Sequence, residues 1–305
     1  MFKYTLDNKR YHTFNFFLKN KFNRKVFKVP LDAGFSCPNK KTGGCIFCTD
    51  GSKSNITDNT KSILDQFEET KNIMLNKWPD SYYIPYLQAN TNTYAPIEKL
   101  KEIYEPLLKL DNVVGLAIAT RPDSITDDVF EYLCELNKKT FLMIELGIQS
   151  SNDETLKFIN RGHDVKSFDN MVKKLKDNNI FVVAHIINGL PNETKEDMIK
   201  TAKHLSDLDV DAVKIHMLHI IKNTKLADIY EKEKFHILTK NEYIDIVCDQ
   251  LEVLNEKIVI ERITGDPIKE NLIEPNWLIK KFVLLNDIDK EMKKRNIFQG
   301  DKYTP

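Results

Sequence analysis

Apolar, strand-like runs alternate with helical patterns through most of this 305-residue chain. The first such run begins at Phe27, the last ends at Leu218, and each is followed by apolar residues at helical spacing. Strands that are apolar throughout and separated by helices predict a parallel sheet with both faces covered. Six such units lie between residues 27 and 235, fewer than the eight of a closed barrel. The pattern therefore predicts an α/β fold built on an open or partial (β/α)6 barrel.

The segments on either side of these units are expected to be additions to one catalytic domain, because no Pro-, Gly- or Ser-rich linker sets them apart. We predict a basic aromatic N-terminal extension over 1–26, the barrel core over 27–235, and a C-terminal α+β extension over 236–305 that packs on the core. No apolar run approaches the roughly 18 residues of a membrane span, and the N-terminus lacks the apolar stretch of a secretory signal. We therefore expect a cytoplasmic protein with no membrane partner.

The charge of the chain is balanced overall but uneven along its length. Lys and Arg total 45, as do Asp and Glu, yet residues 1–41 carry ten Lys and Arg against Asp7 and Asp32. Aromatic residues are interleaved with these basic ones, and such a stretch can bind a phosphate backbone and stack on bases. The alternative is an amphipathic lid whose phenylalanines pack on the body of the protein.

Three cysteines, Cys37, Cys45 and Cys48, are crowded into the sequence CPNKKTGGCIFC, directly after the first predicted strand. Parallel α/β folds place their active sites in loops at this end of their strands. Crowded thiolates repel one another unless a cation shares them, so the clustering predicts a metal. Three ligands with one open position favour an iron–sulfur cube, and structural zinc or uncoordinated thiols are the alternatives. Cys134 and Cys248 are expected to be small core residues.

A family resemblance is carried by the sequence FKVPLDAGFSCPNKKTGGCIFC. It resembles the cluster loop of radical S-adenosylmethionine (SAM) enzymes, in the branch that includes the catalytic subunit of Elongator and the oxygen-independent coproporphyrinogen oxidase. The flanking sequences RYHTFNFFLKNKF and YLQANTNTYAP extend the resemblance, over nearly the full length, to the YhcC/YtqA group. The loop departs from the usual spacing, with seven residues instead of three between its first two cysteines, as the Elongator-like branch tolerates.

The resemblance implies an enzyme whose cofactors are a 4Fe-4S cluster and SAM. Cys37, Cys45 and Cys48 would ligate three irons, and the fourth iron would bind the amino and carboxylate groups of SAM. An electron from a reductant such as flavodoxin or ferredoxin would cleave SAM to methionine and a 5′-deoxyadenosyl radical that abstracts hydrogen. The protein would hold the cofactor and exclude side reactions.

The resemblance also implies cofactor contacts from the loops and strands that follow. Glu145 and Gln149 would reach the ribose hydroxyls or the methionine end, and Arg161 would hold the carboxylate, for which a guanidinium fork is suited. An acid on an apolar strand is costly without a partner, which favours a site role for Glu145. The full set of implied cofactor contacts is Phe47, Gln88, Asn90, Glu145, Gln149, Arg161 and His185. For His185 the alternative is a core histidine with satisfied hydrogen bonds.

Five further residues at strand ends and in loops are candidates for the substrate pocket: Tyr94, Arg121, Lys214, His216 and Arg262. Lys214 and His216 lie two residues apart on one predicted strand, so their side chains share a face of the sheet. We expect this face to point into the barrel. The alternatives are surface turns and an ordinary edge-strand pair.

Analogy with Elongator predicts a tRNA substrate, with reaction at the side chain on the 5-position of the wobble uridine. Remodelling of a carboxymethylaminomethyl substituent is the specific expectation, and the basic N-terminal segment independently points to RNA. One alternative is a radical SAM enzyme that acts on a small molecule. Another is a zinc-stabilised nucleic-acid-binding protein without catalysis.

Overall fold

The computed structural model describes residues 2–49, 57–76, 78–267, 269–278 and 281–304. Within these residues, seven parallel strands form one sheet in which strand order follows the chain. Its strands are β1 (Val26–Leu31), β2 (Tyr82–Leu87), β3 (Gly115–Thr120), β4 (Phe141–Gln149), β5 (Phe181–Asn188), β6 (Ala212–Met217) and β8 (Val259–Arg262). A small antiparallel sheet pairs β7 (Ile220–Ile221) with β9 (Leu272–Glu274).

The helices of the described residues mostly connect these strands and cover the outer face of the sheet. They are α1 (Phe14–Phe22), α2 (Ile63–Leu75), α3 (Ile97–Leu107), α4 (Asp127–Lys139), α5 (Asp153–Phe158), α6 (Val165–Lys176), α7 (Lys195–Asp207), α8 (Lys225–Lys232), α9 (Lys240–Val253) and α10 (Lys281–Arg295). Hydroxyl side chains begin several of them: Thr194 and Thr239 each close a capping box with the acid three residues later. None of the described helices is both long and apolar enough to cross a lipid bilayer.

The predicted alternation of strands and helices is confirmed. The run at Tyr82–Leu87 is a strand with these bounds, and the other predicted strands shift by only one or two residues. In the C-terminal extension the sequence predicts a short strand over Ile258–Arg262, and the structure has it as β8, Val259–Arg262, paired in parallel with β6. It therefore continues the main sheet, which has one strand more than the six β-then-α units.

The sheet curls into a partial barrel, because residues from its opposite edges meet. Lys28 lies on β1 and Glu261 on β8, the two edge strands, yet the Lys28 Nζ lies 2.7 Å from Glu261 Oε1. Alternate side chains of each strand face this interior, and the others pack beneath the surrounding helices. The interior, which we call the lumen, is the space that positions the site described below.

Helix α1 closes the amino end of the barrel. Its Phe14, Phe17 and Phe22 pack against residues that begin strands, among them Phe141 and Phe181. This is the packing expected of the amphipathic lid. Since the cysteine loop follows the carboxyl end of β1, the N-terminal helix and the cysteines lie at opposite ends of the barrel.

The basic charge of the N-terminal segment is partly neutralised within the fold. Lys3 forms a salt bridge of 2.7 Å with Glu256, and Lys9 pairs with Asp289. Lys28 is drawn into the lumen, where its side chain is 11% exposed. The excess of positive charge in residues 1–41 is therefore not a single free surface.

Candidate active site at the carboxyl end of the barrel

The cysteine loop leaves β1 and winds through a short 3₁₀ turn, Pro38–Thr42, before it reaches Cys45. Gly43 and Gly44 adopt φ values of 93° and 71°, in the left-handed region that favours glycine. Cys37 and Cys45 are half-buried and Cys48 is exposed. In the part of the chain that the structure describes, no three His, Cys, Asp or Glu side chains converge closely enough to hold one metal ion.

Backbone hydrogen bonds on both sides hold the loop in place. Ile46 donates its N–H to the carbonyl of Ile159 at 3.1 Å, and its own carbonyl accepts from the N–H of Leu226 at 2.9 Å. The Asn160 side chain donates to the carbonyl of Gly44 at 2.7 Å. The segments around α5 and α8 therefore fix the position of the cysteines between them.

Two side chains donate hydrogen bonds to the sulfur of Cys45. Asn39 Nδ2 lies 3.4 Å from Cys45 Sγ, and Arg161 Nη1 lies 3.7 Å from the same sulfur. Sequence reasoning did not single out Asn39, and its one signal is its position two residues after Cys37. Three thiols with an amide and a guanidinium directed at one of them form a donor set suited to an anionic iron–sulfur cluster.

Gln149 and Arg161, both expected to contact the cofactor, lie together at the carboxyl end of β4. Arg161 donates from Nε and Nη2 to the carbonyl of Gly147, at 3.2 and 2.6 Å. Gln149 is 8% exposed, has a φ of 74°, and its Oε1 has no hydrogen-bond partner among the described residues. The structure thus brings both residues beside the cysteine loop.

The loop after β2 is joined to the cysteine loop through its backbone. Gln88 donates its N–H to the carbonyl of Leu31 at 3.1 Å, and Thr91 donates to that of Ser36 at 3.2 Å. Asn90 adopts a left-handed φ of 60° between these two contacts. The loop that carries Gln88 and Asn90 therefore lies against the chain that leads into Cys37.

Three other predicted residues also lie near this end of the barrel. Phe47 is partly buried in the apolar cluster beneath the loop. Tyr94 is 36% exposed, with Lys41 Nζ 5.9 Å from the centre of its ring. Arg121 is 3% exposed and donates to Asp123 at 2.9 and 2.8 Å and to the carbonyl of Arg161 at 2.8 Å.

A network of four charged groups lies deeper in the lumen. Glu145 accepts from Lys28 and, at 2.5 Å, from Lys214, while Glu261 lies 2.7 Å from Lys28 and 3.2 Å from Lys214. Tyr86 packs between the two ammonium groups, which lie 3.8 and 4.5 Å from the centre of its ring. We call these five residues the lumen network.

Charge pairing dominates the electrostatics of the lumen network. Burial alone would raise the pKa of Glu145, but the charges of Lys214 and Lys28 outweigh burial and hold it well below its ordinary value. Burial opposes the charge of Lys214, yet Glu145 and Glu261 raise its pKa. The sequence placed Glu145 among the cofactor contacts and Lys214 among the substrate residues. In the structure these two residues form a salt bridge with each other. Lys28, Tyr86 and Glu261 were not predicted from the sequence. For Lys28 and Glu261, a charged residue within an apolar strand was an available signal.

Two histidines lie beside this network on adjacent strands. The rings of His185 and His216 meet edge to face, with their centres 4.3 Å apart. Burial lowers the pKa of His185 to about 3, and burial, reinforced by His185 and Arg262, holds that of His216 well below its ordinary value. Their Nε2 atoms have no hydrogen-bond partner among the described residues. Arg262 pairs with Asp266 near the same face.

Comparison with known proteins shows which family combines this barrel with this loop. The sequence model of the radical SAM superfamily matches residues 35–205 of this chain. The family model of the radical SAM C-terminal domain matches residues 210–294. The chain is 46% identical to YtqA of Bacillus subtilis over 98% of its own length and 94% of that protein. The chain belongs to the radical SAM superfamily. It is thus a radical SAM enzyme, dependent on a 4Fe-4S cluster and SAM, and the non-catalytic zinc protein is excluded.

More distant similarities concern the branch of the superfamily. The chain is 24% identical to a tRNA uridine(34) acetyltransferase of Methanocaldococcus infernus, over 92% of this chain and 59% of that protein. The solved structure of the archaeal Elp3 from the same organism superposes with a TM-score of 0.70 at 20% identity. That superposition covers 90% of this chain and 64% of the other, and it confirms the partial-barrel fold.

In this radical SAM enzyme, one partly buried acid has a pKa raised well above its ordinary value. Glu193 follows β5 and accepts a hydrogen bond from Ser150 Oγ, and burial raises its pKa from 4.5 to about 7. A group whose pKa is raised on folding contributes its full stabilisation at pH values below its unfolded-state pKa. This contribution is lost as the pH rises through the folded-state pKa.

We expect Glu193→Gln to abolish this dependence, because glutamine stays neutral in the same place. The variant should match the wild type at about pH 4, below the unfolded pKa, and exceed its free energy of unfolding at pH 8 by roughly 3 kcal/mol. Urea unfolding at the two pH values measures the difference. A gap between the two proteins that does not change with pH would contradict the assignment.

Proposed function

We propose that this enzyme acts on the side chain at the 5-position of the wobble uridine in tRNA. The observation that carries the proposal is the similarity, over 92% of the chain, to a tRNA uridine(34) acetyltransferase. A carboxymethylaminomethyl-type substituent is the proposed target of remodelling. This similarity favours tRNA over the small-molecule alternative.

The proposed cluster ligands are Cys37, Cys45 and Cys48. Their loop is fixed by backbone bonds, and the Asn39 and Arg161 donors suit a thiolate at Cys45. When bound, the cluster and SAM supply reductive cleavage of the sulfonium C–S bond, which generates the 5′-deoxyadenosyl radical. We propose flavodoxin or ferredoxin as the source of the electron.

The proposed SAM contacts lie around the same loop. The Oε1 of Gln149 has no hydrogen-bond partner within the described part of the chain, and the loop with Gln88 and Asn90 lies against the residues that lead into Cys37. Phe47 supplies an apolar wall beneath the loop. Arg161 uses three of its five N–H groups on Gly147 and Cys45, which leaves two N–H groups and its charge for the carboxylate of SAM.

The proposed substrate group enters the lumen from the cysteine-loop end, because α1 closes the other end. His216 would meet it as an uncharged hydrogen-bonding group, with Arg262 at the edge, and His185, whose ring contacts that of His216, is the proposed neighbour of SAM. The lumen network would close the space beneath it and exclude water. Tyr94 and Lys41 stand at the open end, where an exposed aromatic ring and a positive charge suit RNA.

The test compares modified nucleosides in tRNA from cells with the gene, without it, and with the gene encoding Cys45→Ala. We expect a wobble-uridine nucleoside that is present only with the wild-type gene. Unchanged nucleosides would overturn the RNA assignment while leaving the radical chemistry in place. Anaerobic incubation of the purified enzyme with tRNA from the deleted strain then shows whether the change is direct.

A further inference from the structure

The sulfur of Cys45 faces two N–H donors that come from different parts of the chain. Asn39 belongs to the cysteine loop itself, whereas Arg161 follows α5. The Asn39 Nδ2 and Arg161 Nη1 atoms lie 3.4 and 3.7 Å from Cys45 Sγ, within the range of hydrogen bonds to sulfur. Each donor is held in place by further contacts.

The orientation of the Asn39 amide is fixed from both sides. Its Nδ2 also donates to the carbonyl of Asn160 at 2.7 Å, while its Oδ1 accepts from the Thr42 hydroxyl at 3.0 Å. Asn39 is 4% exposed, and a Cβ added at Gly162 would collide with Oδ1. The N–H side of the amide is thereby directed toward the sulfur.

The Arg161 guanidinium is fixed in a similar way. Its Nε and Nη2 atoms are held by the carbonyl of Gly147, which leaves Nη1 directed at Cys45. Arg121 donates to the Arg161 carbonyl at 2.8 Å and adds a second positive charge near the loop. Burial opposes the charge of Arg121, and its salt bridge of 2.8 Å with Asp123 supports that charge.

We propose that Asn39 and Arg161 raise the reduction potential of the iron–sulfur cluster through their hydrogen bonds to Cys45. Reduction adds negative charge to the cluster and its thiolates, and N–H donors stabilise that charge more in the reduced than in the oxidised state. The two residues thus make the electron transfer that precedes SAM cleavage more favourable. This inference rests on the proposed ligand role of Cys45 and is independent of the identity of the substrate.

The test measures the midpoint potential of the reconstituted cluster by EPR-monitored titration without SAM, so that SAM binding does not contribute. Asn39→Asp keeps the shape of the side chain but replaces the donor with an anion. We expect the redox equilibrium to shift at least tenfold toward the oxidised cluster, which is 59 mV for a one-electron couple. Asn20→Asp is the matched control, because it makes the same change at an exposed position of α1, at the opposite end of the barrel from the cysteines. Its potential should equal that of the wild type.

Arg161→Gln provides the second measurement, with the same direction expected because a charged donor is lost. Iron content and thermal unfolding accompany each titration. Loaded variants with an unchanged potential would overturn the proposal. The proposal would also be overturned if the variants at both positions folded but did not bind the cluster. Asn39 and Arg161 would then be needed to form the cluster site, and not to set its reduction potential. A wild-type protein with no titratable cluster would overturn the ligand assignment, whereas a failure on tRNA would leave these potentials unaffected.

Discussion

Replacing Cys45 with alanine is expected to reduce 5′-deoxyadenosine formation from SAM to the level of the cluster-free protein. The substitution removes one of only three proposed protein ligands, and no fourth cysteine or histidine lies nearby in the sequence to replace it. Cys45 is half-buried in a loop that is held mainly by backbone bonds, so the free energy of unfolding should change by less than about 1 kcal/mol. Anaerobic assay with excess reductant, followed by chromatography of the nucleosides, measures the loss.

The matched control for this variant is Cys134→Ala. Cys134 is a partly buried cysteine on α4, at the outer face of the sheet and away from the loop. The Cys134→Ala variant should retain iron and activity. This result would show that the loss of any one thiol does not by itself abolish 5′-deoxyadenosine formation. If Cys45→Ala produced 5′-deoxyadenosine at the normal rate, the ligand assignment would be wrong.

The order of strands and the position of the cysteine loop could be predicted from sequence because both depend on local pattern. The runs at Tyr82–Leu87 and Val113–Ala119 are apolar over a few residues, and the loop follows the first strand directly. Parallel α/β topology then dictates that loops at the carboxyl ends of the strands share one edge. Gln149 and Arg161 come beside the cysteines for this reason.

The interior of the lumen could not be predicted in the same way, because its contacts span long distances in sequence. Lys28 meets Glu145 across 117 residues and Glu261 across 233, and both contacts depend on how far the sheet curls. An apolar strand shows that Glu145 needs a partner but does not identify Lys214. The role of Asn39 could not be predicted for the same reason, because it depends on Arg161, which approaches Cys45 from another element.

Replacing Lys214 with methionine is expected to destabilise the fold by about 3–5 kcal/mol, the cost of removing one partner from a buried ion pair. Lys214 is 5% exposed, and methionine of similar length would leave Glu145 and Glu261 with Lys28 alone. Urea unfolding at pH 7 measures the change. The exposed pair Lys203 and Asp207 provides the control, since Lys203→Met should alter stability by no more than about 0.5 kcal/mol.

The pH dependence of the same variant separates lost charge pairing from lost packing. In the wild type, the depressed pKa of Glu145 contributes stability above its unfolded value of 4.5, and this contribution is lost as the pH falls through the lower folded value. Without Lys214 the pKa of Glu145 should rise, so the deficit of the variant should shrink as the pH is lowered from 7 toward 4. Glu145→Gln in the Lys214→Met background should recover part of the loss at pH 7, because it removes an incompletely paired charge. A deficit that stays constant with pH, with no recovery in the double variant, would mean that Lys214 stabilises the lumen by packing alone.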